Sequence, residues 1–197
     1  MSLTRGFGQA IAIGCFAFLI APPARGDDTI KRPGDHPQYV VELEPHGDLG
    51  LGFRYGGAGI GLGFRASIVI VKNGFIPKLN NSVAVSFGGD FLHYGGCYFA
   101  DVDCSANYLF FPVALQWNFF VAQHWSVFGE PGIVPFYGFY DDYCNVVGNG
   151  RNRVCSDPSH FSVTPGIYVG GRYHFNEHIA LTMRIGYPTF SVGASFM

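Results

Sequence analysis

Ile179-Ala-Leu-Thr-Met-Arg-Ile-Gly186 alternates without a break. Ile179, Leu181, Met183 and Ile185 fall on one face, with Thr182, Arg184 and Gly186 on the other. A period of two is the mark of a β-strand. The next stretch, Thr189–Met197, repeats it: Phe190, Val192, Ala194 and Phe196 oppose Ser191, Gly193 and Ser195. Six earlier segments carry the same period: Tyr39–Tyr55, Gly59–Val71, Ser82–Tyr94, Asn107–Phe119, Trp125–Phe139 and Phe161–Phe175. Eight alternating strands predict a barrel or a sandwich. The fourth and fifth fit least well. Tyr108, Phe110, Phe128, Val134 and Phe136 put bulk on their small-residue face, and Pro112, Pro131, Pro135 and Pro165 each remove a ladder donor.

The bulky face is apolar throughout. The other holds mostly Gly, Ser, Ala and Thr, with occasional charges. An eight-stranded barrel has an interior only just wide enough for side chains. The bulky face does not fit there, whereas glycines and a few long polar chains do. The apolar face is therefore expected outside, against lipid, which is the inverted pattern of a transmembrane barrel. The competing arrangement, a soluble barrel or two-sheet sandwich, would leave an exterior of Gly and Ser with few charges.

Composition agrees. Of 197 residues, 48% are hydrophobic and 17% aromatic, but only 13% are charged, against about 25% in an ordinary soluble domain. Disorder is excluded, because it needs low hydrophobicity and high net charge. Twelve Lys and Arg against fourteen Asp and Glu leave no basic stripe for nucleic acid.

The chain divides into three parts. Residues 1–26 read as a signal peptide: Arg5, the apolar run Ala10–Ala21, then Ala24-Arg25-Gly26, with cleavage expected before Asp27. The run is about a dozen residues, short of the roughly 20 that span a bilayer. Residues 27–38, polar with Pro33 and Pro37, are expected to be a flexible tether. Residues 39–197 form the barrel. With a periplasmic N-terminus, the two longest connections, Gly95–Ala106 and Tyr140–His160, fall on the far, extracellular side.

The tail Arg172-Tyr-His-Phe-Asn-Glu-His-Ile-Ala-Leu-Thr-Met-Arg-Ile-Gly186, followed by Phe190-Ser-Val-Gly-Ala-Ser-Phe196, resembles the closing hairpin and last strand of bacterial outer-membrane barrels. The whole of residues 39–197 is similar to the small eight-stranded OmpA/OmpX-like family. The resemblance implies an all-β fold, an eight-stranded antiparallel up-and-down transmembrane β-barrel, in the outer membrane of a Gram-negative bacterium. It implies outer-membrane lipid around the barrel and recognition of the C-terminal strand by the barrel-assembly machinery. That family usually ends on an aromatic residue; here Phe196 is penultimate.

Several residues could carry function. Glu42, Glu44, Asp48, Asp90 and Glu130, with Arg54, Arg65, Arg172 and Arg184, are expected to face the lumen. Unpaired ions there would be costly, so a salt-bridged plug is expected, with a selective pore lining as the alternative. Trp117, Phe119, Trp125, Tyr173 and Phe175 are expected at one membrane interface. Tyr137, Phe139 and Phe161 are expected at the other, joined by Tyr94 and Tyr108. Cys97, Cys104, Cys144 and Cys155 lie two in each long loop, and export permits disulfides. Three pairings are possible. Cys97–Cys104 and Cys144–Cys155 close the short rings; a zinc site is the alternative. His160-Phe161-Ser162 resembles the His-x-Ser of outer-membrane lipid A deacylases, but Val163 stands where that family has an Asn. HExxH, GxSxG and phosphate-cradling glycine motifs do not occur, so no cofactor and no enzymatic activity is expected. The expected role is structural or interactive in a monomer, with a narrow solute pore as the second reading and a lipid-A-modifying enzyme using His160 and Ser162 as the third.

Overall fold

The computed structural model describes residues 28–51, 58–95, 105–141, 143–147, 152–156 and 159–197. Its strands are β1 (Val41–Leu51), β2 (Ala58–Val71), β3 (Asn81–Gly95), β4 (Ser105–Phe110), β5 (Val113–Ala122), β6 (Trp125–Asp141), β7 (Tyr143–Val147), β8 (Asn152–Ser156), β9 (His160–His174), β10 (Ile179–Tyr187) and β11 (Thr189–Phe196). β4 and β5 are two halves of one wall strand, both paired with β3 on one side and β6 on the other. The order then runs β1, β2, β3, β4 with β5, β6, β9, β10, β11 and back to β1, all antiparallel. The sheet is an eight-stranded closed barrel. Closure leaves no edge with unpaired backbone groups, which a hydrocarbon solvent requires.

The eight expected segments match these walls to within a few residues. The break between β4 and β5 is at Phe111-Pro112, where proline has no N–H to give. Neighbouring strands still use the break: Gly88 N–H donates to Pro112 O at 3.1 Å and Phe111 N–H to Pro135 O at 2.8 Å. β6 runs on through Pro131 and Pro135, in register with Ile167 and Val163 of β9. Within the second long connection, β7 and β8 form a separate two-stranded hairpin, an element the alternation did not announce.

The faces are inverted along most of the barrel. Thirty large hydrophobic side chains are exposed among the described residues, whereas the buried set holds 23 polar or charged residues and 14 apolar ones. Leu62 is 74% exposed, yet Arg65, Arg172 and Arg184 are each 2% exposed or less. A protein folded in water buries the reverse set.

Candidate functional site

The lumen is built from the even-numbered positions of β1, β4, β5, β6, β9 and β10, together with positions such as Arg65, Ser67 and Asp90 on β2 and β3. Its contents differ along the axis. The near end is where β1, β3, β6 and β10 begin; the far end carries the long connections.

The near and middle lumen is an ion network. Arg184 sits at its centre. Its Nη1 and Nη2 donate to Glu44 Oε1 and Oε2 at 2.7 and 3.0 Å. Its Nε donates to Glu130 Oε2 at 2.7 Å. One guanidinium fork therefore ties β10 to β1 and β6 across the barrel, using the bidentate geometry that only arginine offers. Gln116 Nε2 donates to Glu130 Oε1 at 2.6 Å. Arg172 lies 2.9 Å from Glu42 Oε1 and donates to Asn118 Oδ1 at 2.7 Å. Arg65 donates to Asp90 Oδ2 at 3.0 Å. Phe128 stacks under two of these cations, with Arg172 at 4.4 Å and Arg184 at 5.2 Å from its ring centre. Gly170 makes room for that ring, since a Cβ there would collide with Phe128. Removing a charge from water costs several kcal/mol, so each of these groups depends on its partners.

His46 was not among the charges expected in the network, although it alternates in step with Glu44 and Asp48. Its Nε2 lies 3.1 Å from Asp90 Oδ1 and 3.5 Å from Asp48 Oδ2, and its Nδ1 lies 3.1 Å from the Glu44 carbonyl. The three acidic and imidazole side chains are all buried. Strand parity was the signal that could have found it.

The far lumen is aromatic. Leu92, Tyr94, Ala106, Tyr108, Phe110, Val134, Phe136 and Tyr168 form one buried cluster. Tyr108 stacks on Phe110 at 5.7 Å and meets Tyr94 edge-on at 5.5 Å; Phe136 lies 5.7 Å from Phe110. The residues that disturbed the alternation of the fourth and fifth segments are this plug, together with Phe128 below it. Tyr94 and Tyr108, expected on the outer rim, instead turn inward, because their parity is that of the lumen. Arg65 over the Tyr168 ring, at 5.3 Å, joins the two halves.

The near mouth is covered by the segment preceding β1, the stretch read from sequence as a tether. Thr29 Oγ1 donates to Phe120 O at 3.1 Å, and Asn80 N–H donates to Ile30 O at 2.7 Å. Asn80 Nδ2 donates to Asp35 O at 2.7 Å, and the His36 ring stacks on Phe120 at 4.4 Å.

The remaining candidates sit on the outside or beyond the described residues. Trp117 stacks on Phe119 at 5.2 Å; Trp125 and Tyr173 meet at 5.1 Å, and Tyr173 and Phe175 at 5.2 Å, all toward the near end. Tyr137 and Phe139 meet at 5.6 Å near the far end, where Phe161 is also exposed. Cys144 and Cys155 are direct Cα partners in the β7–β8 hairpin. Arg54, Cys97, Cys104 and the leader lie outside the described residues. His160 and Ser162 share a parity at the far rim, where the His160 ring packs edge-on to Phe136 at 6.4 Å.

No protein-family profile matches the sequence, and no curated protein matches it. Solved structures do match in fold. Ail, the attachment invasion locus protein of Yersinia pestis, is 11% identical with a TM-score of 0.48, over 81% of this chain and 99% of that one. Neisserial surface protein A is 13% identical with a TM-score of 0.47, over 80% of this chain and 94% of that one. The N-terminal β-barrel domain of Pseudomonas aeruginosa OprF is 13% identical with a TM-score of 0.41, over 80% and 95%. These are eight-stranded outer-membrane barrels.

Proposed function

We propose that this chain is an integral outer-membrane protein of a Gram-negative bacterium, with a structural or interactive role performed by its far-side loops. One observation carries the reading: a closed barrel with an apolar exterior and an interior that buries an ion network beneath a plug of aromatic rings. Only a hydrocarbon surround makes that arrangement favourable, because about 25 cal/mol per Å² of apolar surface would otherwise stay in water. The two groups of outward-facing aromatics are the interface anchors of this arrangement. The leader, residues 1–26, exports the chain, and the C-terminal strand with Phe196 is the piece the assembly machinery reads. Cys144 and Cys155, opposed in one hairpin, form a disulfide that braces the longest loop.

The lumen has no transport role in this reading. Among the described residues, arginine–carboxylate pairs fill one half and aromatic rings the other, which argues against a continuous path for solute. The lipid-modifying alternative gains no support from His160, whose neighbour is the Phe136 ring. The decisive experiment is expression of the full chain in a Gram-negative host. It is expected to fractionate with outer membranes, to shift on gels after heating, and to give no steps in a planar bilayer. Recovery as a freely soluble protein without detergent would overturn the assignment, and stable conductance would overturn the sealed lumen.

A further inference from the structure

The charges of the lumen do not balance among the described residues. Glu42, Glu44, Asp48, Asp90 and Glu130 face Arg65, Arg172 and Arg184 among the described residues. Three of those acids touch an arginine at hydrogen-bond distance, and Glu42 touches one as an ion pair. Asp48 does not. Its side chain is fully buried, and neither carboxylate oxygen has a hydrogen-bond partner. Among the described residues, the only cation-capable group at ion-pair distance from it is the His46 ring.

The ring itself is oriented by its other nitrogen. The Glu44 carbonyl can only accept, so Nδ1, at 3.1 Å, carries the proton and donates. Nε2, 3.1 Å from Asp90 Oδ1 and 3.5 Å from Asp48 Oδ2, either carries a second proton toward Asp90 or, in the neutral ring, presents a lone pair to both carboxylates. In the neutral ring three electron-rich atoms converge on one point, an approach that calls for a cation between them, a proton or a metal ion. The space they face is open because of a glycine: a Cβ on Gly63 would collide with His46 Nε2 and Asp90 Oδ1 and lie 2.9 Å from Asp48 Oδ2.

The geometry points to a divalent transition-metal site of the zinc class, with His46 Nε2, Asp48 Oδ2 and Asp90 Oδ1 as ligands and Gly63 as its floor. The three donor atoms all lie within 4.8 Å of one another. A zinc ion about 2.0–2.2 Å from each donor holds neighbouring donors roughly 3.3–3.5 Å apart; Nε2 lies 3.1 and 3.5 Å from the two carboxylate oxygens. The surroundings also suit a metal. A metal-ligating histidine ordinarily gives its second N–H to a carbonyl or carboxylate, as His46 does to Glu44, and ligating carboxylates are held in turn, as Arg65 holds Asp90. The imidazole favours zinc, iron or nickel over calcium or magnesium, which take oxygen ligands. Among the described residues, a charge of +2 there cancels the excess of two carboxylates over arginines.

The test is metal content of the tag-free full chain, refolded in detergent with zinc chloride and passed through a desalting column. Mass spectrometry is expected to find about one zinc per folded chain, and the urea midpoint to rise with added zinc, because metal affinity is folding free energy here. Asp48→Asn keeps shape but loses a charged ligand, and Gly63→Ala fills the floor. Each is expected to lower bound zinc at least about tenfold, the loss that removing a site's ligand or support brings, with the heat-dependent gel shift retained. Wild-type chains that fold and hold no zinc would overturn the site, and a proton on Nε2 would then be the cation. Zinc bound equally by wild type and Asp48→Asn would also overturn it, by placing the metal elsewhere. Should either variant fail to fold, wild-type stoichiometry decides alone.

Discussion

The two halves of the lumen solve one packing problem with opposite chemistry. Both are filled by inward positions of the same strands, in the same closed barrel. The near and middle half is filled by long ions held mainly by directional contacts; Arg184 satisfies two carboxylates at once. The far half is filled by rings with weaker geometric demands. An ion network fails when one member is removed, because the partner stays buried and charged. A ring cluster loses contact area and leaves a cavity that its neighbours partly fill. The ionic half should therefore set the register of the barrel, and the aromatic half should seal it.

That contrast can be broken by measuring urea midpoints of the folded protein in lipid or detergent. Arg184→Ala is expected to cost the most, about 5 kcal/mol, since Glu44 and Glu130 are stranded together. Phe136→Ala is expected to cost about 3 kcal/mol through a cavity in the plug. Equal losses for the two would mean that directionality contributes nothing. Leu62→Arg, on the outer face, is expected to cost roughly 2 kcal/mol in a bilayer. An unchanged midpoint there would remove lipid from the outside. Gln116→Ala is expected to cost about 1 kcal/mol, because Glu130 keeps Arg184 after losing one neutral donor. A loss as large as that of Arg184→Ala would show the network to be more cooperative than its pairwise contacts.

Much of the wall was legible in the chain. Alternation placed all eight wall strands, and the volume argument put the bulky side chains outside, as Leu62 and Ile167 are. The lumen ions Glu42, Glu44, Asp48, Arg65, Asp90, Glu130, Arg172 and Arg184 followed from parity. The plug was visible only as disorder in the pattern. Tyr108 and Phe136 look like errors when every inward position is assumed small, since nothing local says that one end of a barrel is stoppered with rings. The β7–β8 hairpin was also missed, because short strands in a polar loop carry almost no periodic signal.

What the sequence determined by itself was the sidedness of each strand, because a period of two survives any register. What only the tertiary structure decided was which inward residues meet. Glu44 and Arg184 are 140 positions apart, and His46 and Asp90 are 44 apart. Barrel closure and strand stagger bring them together, and both are properties of the whole sheet rather than of any one strand.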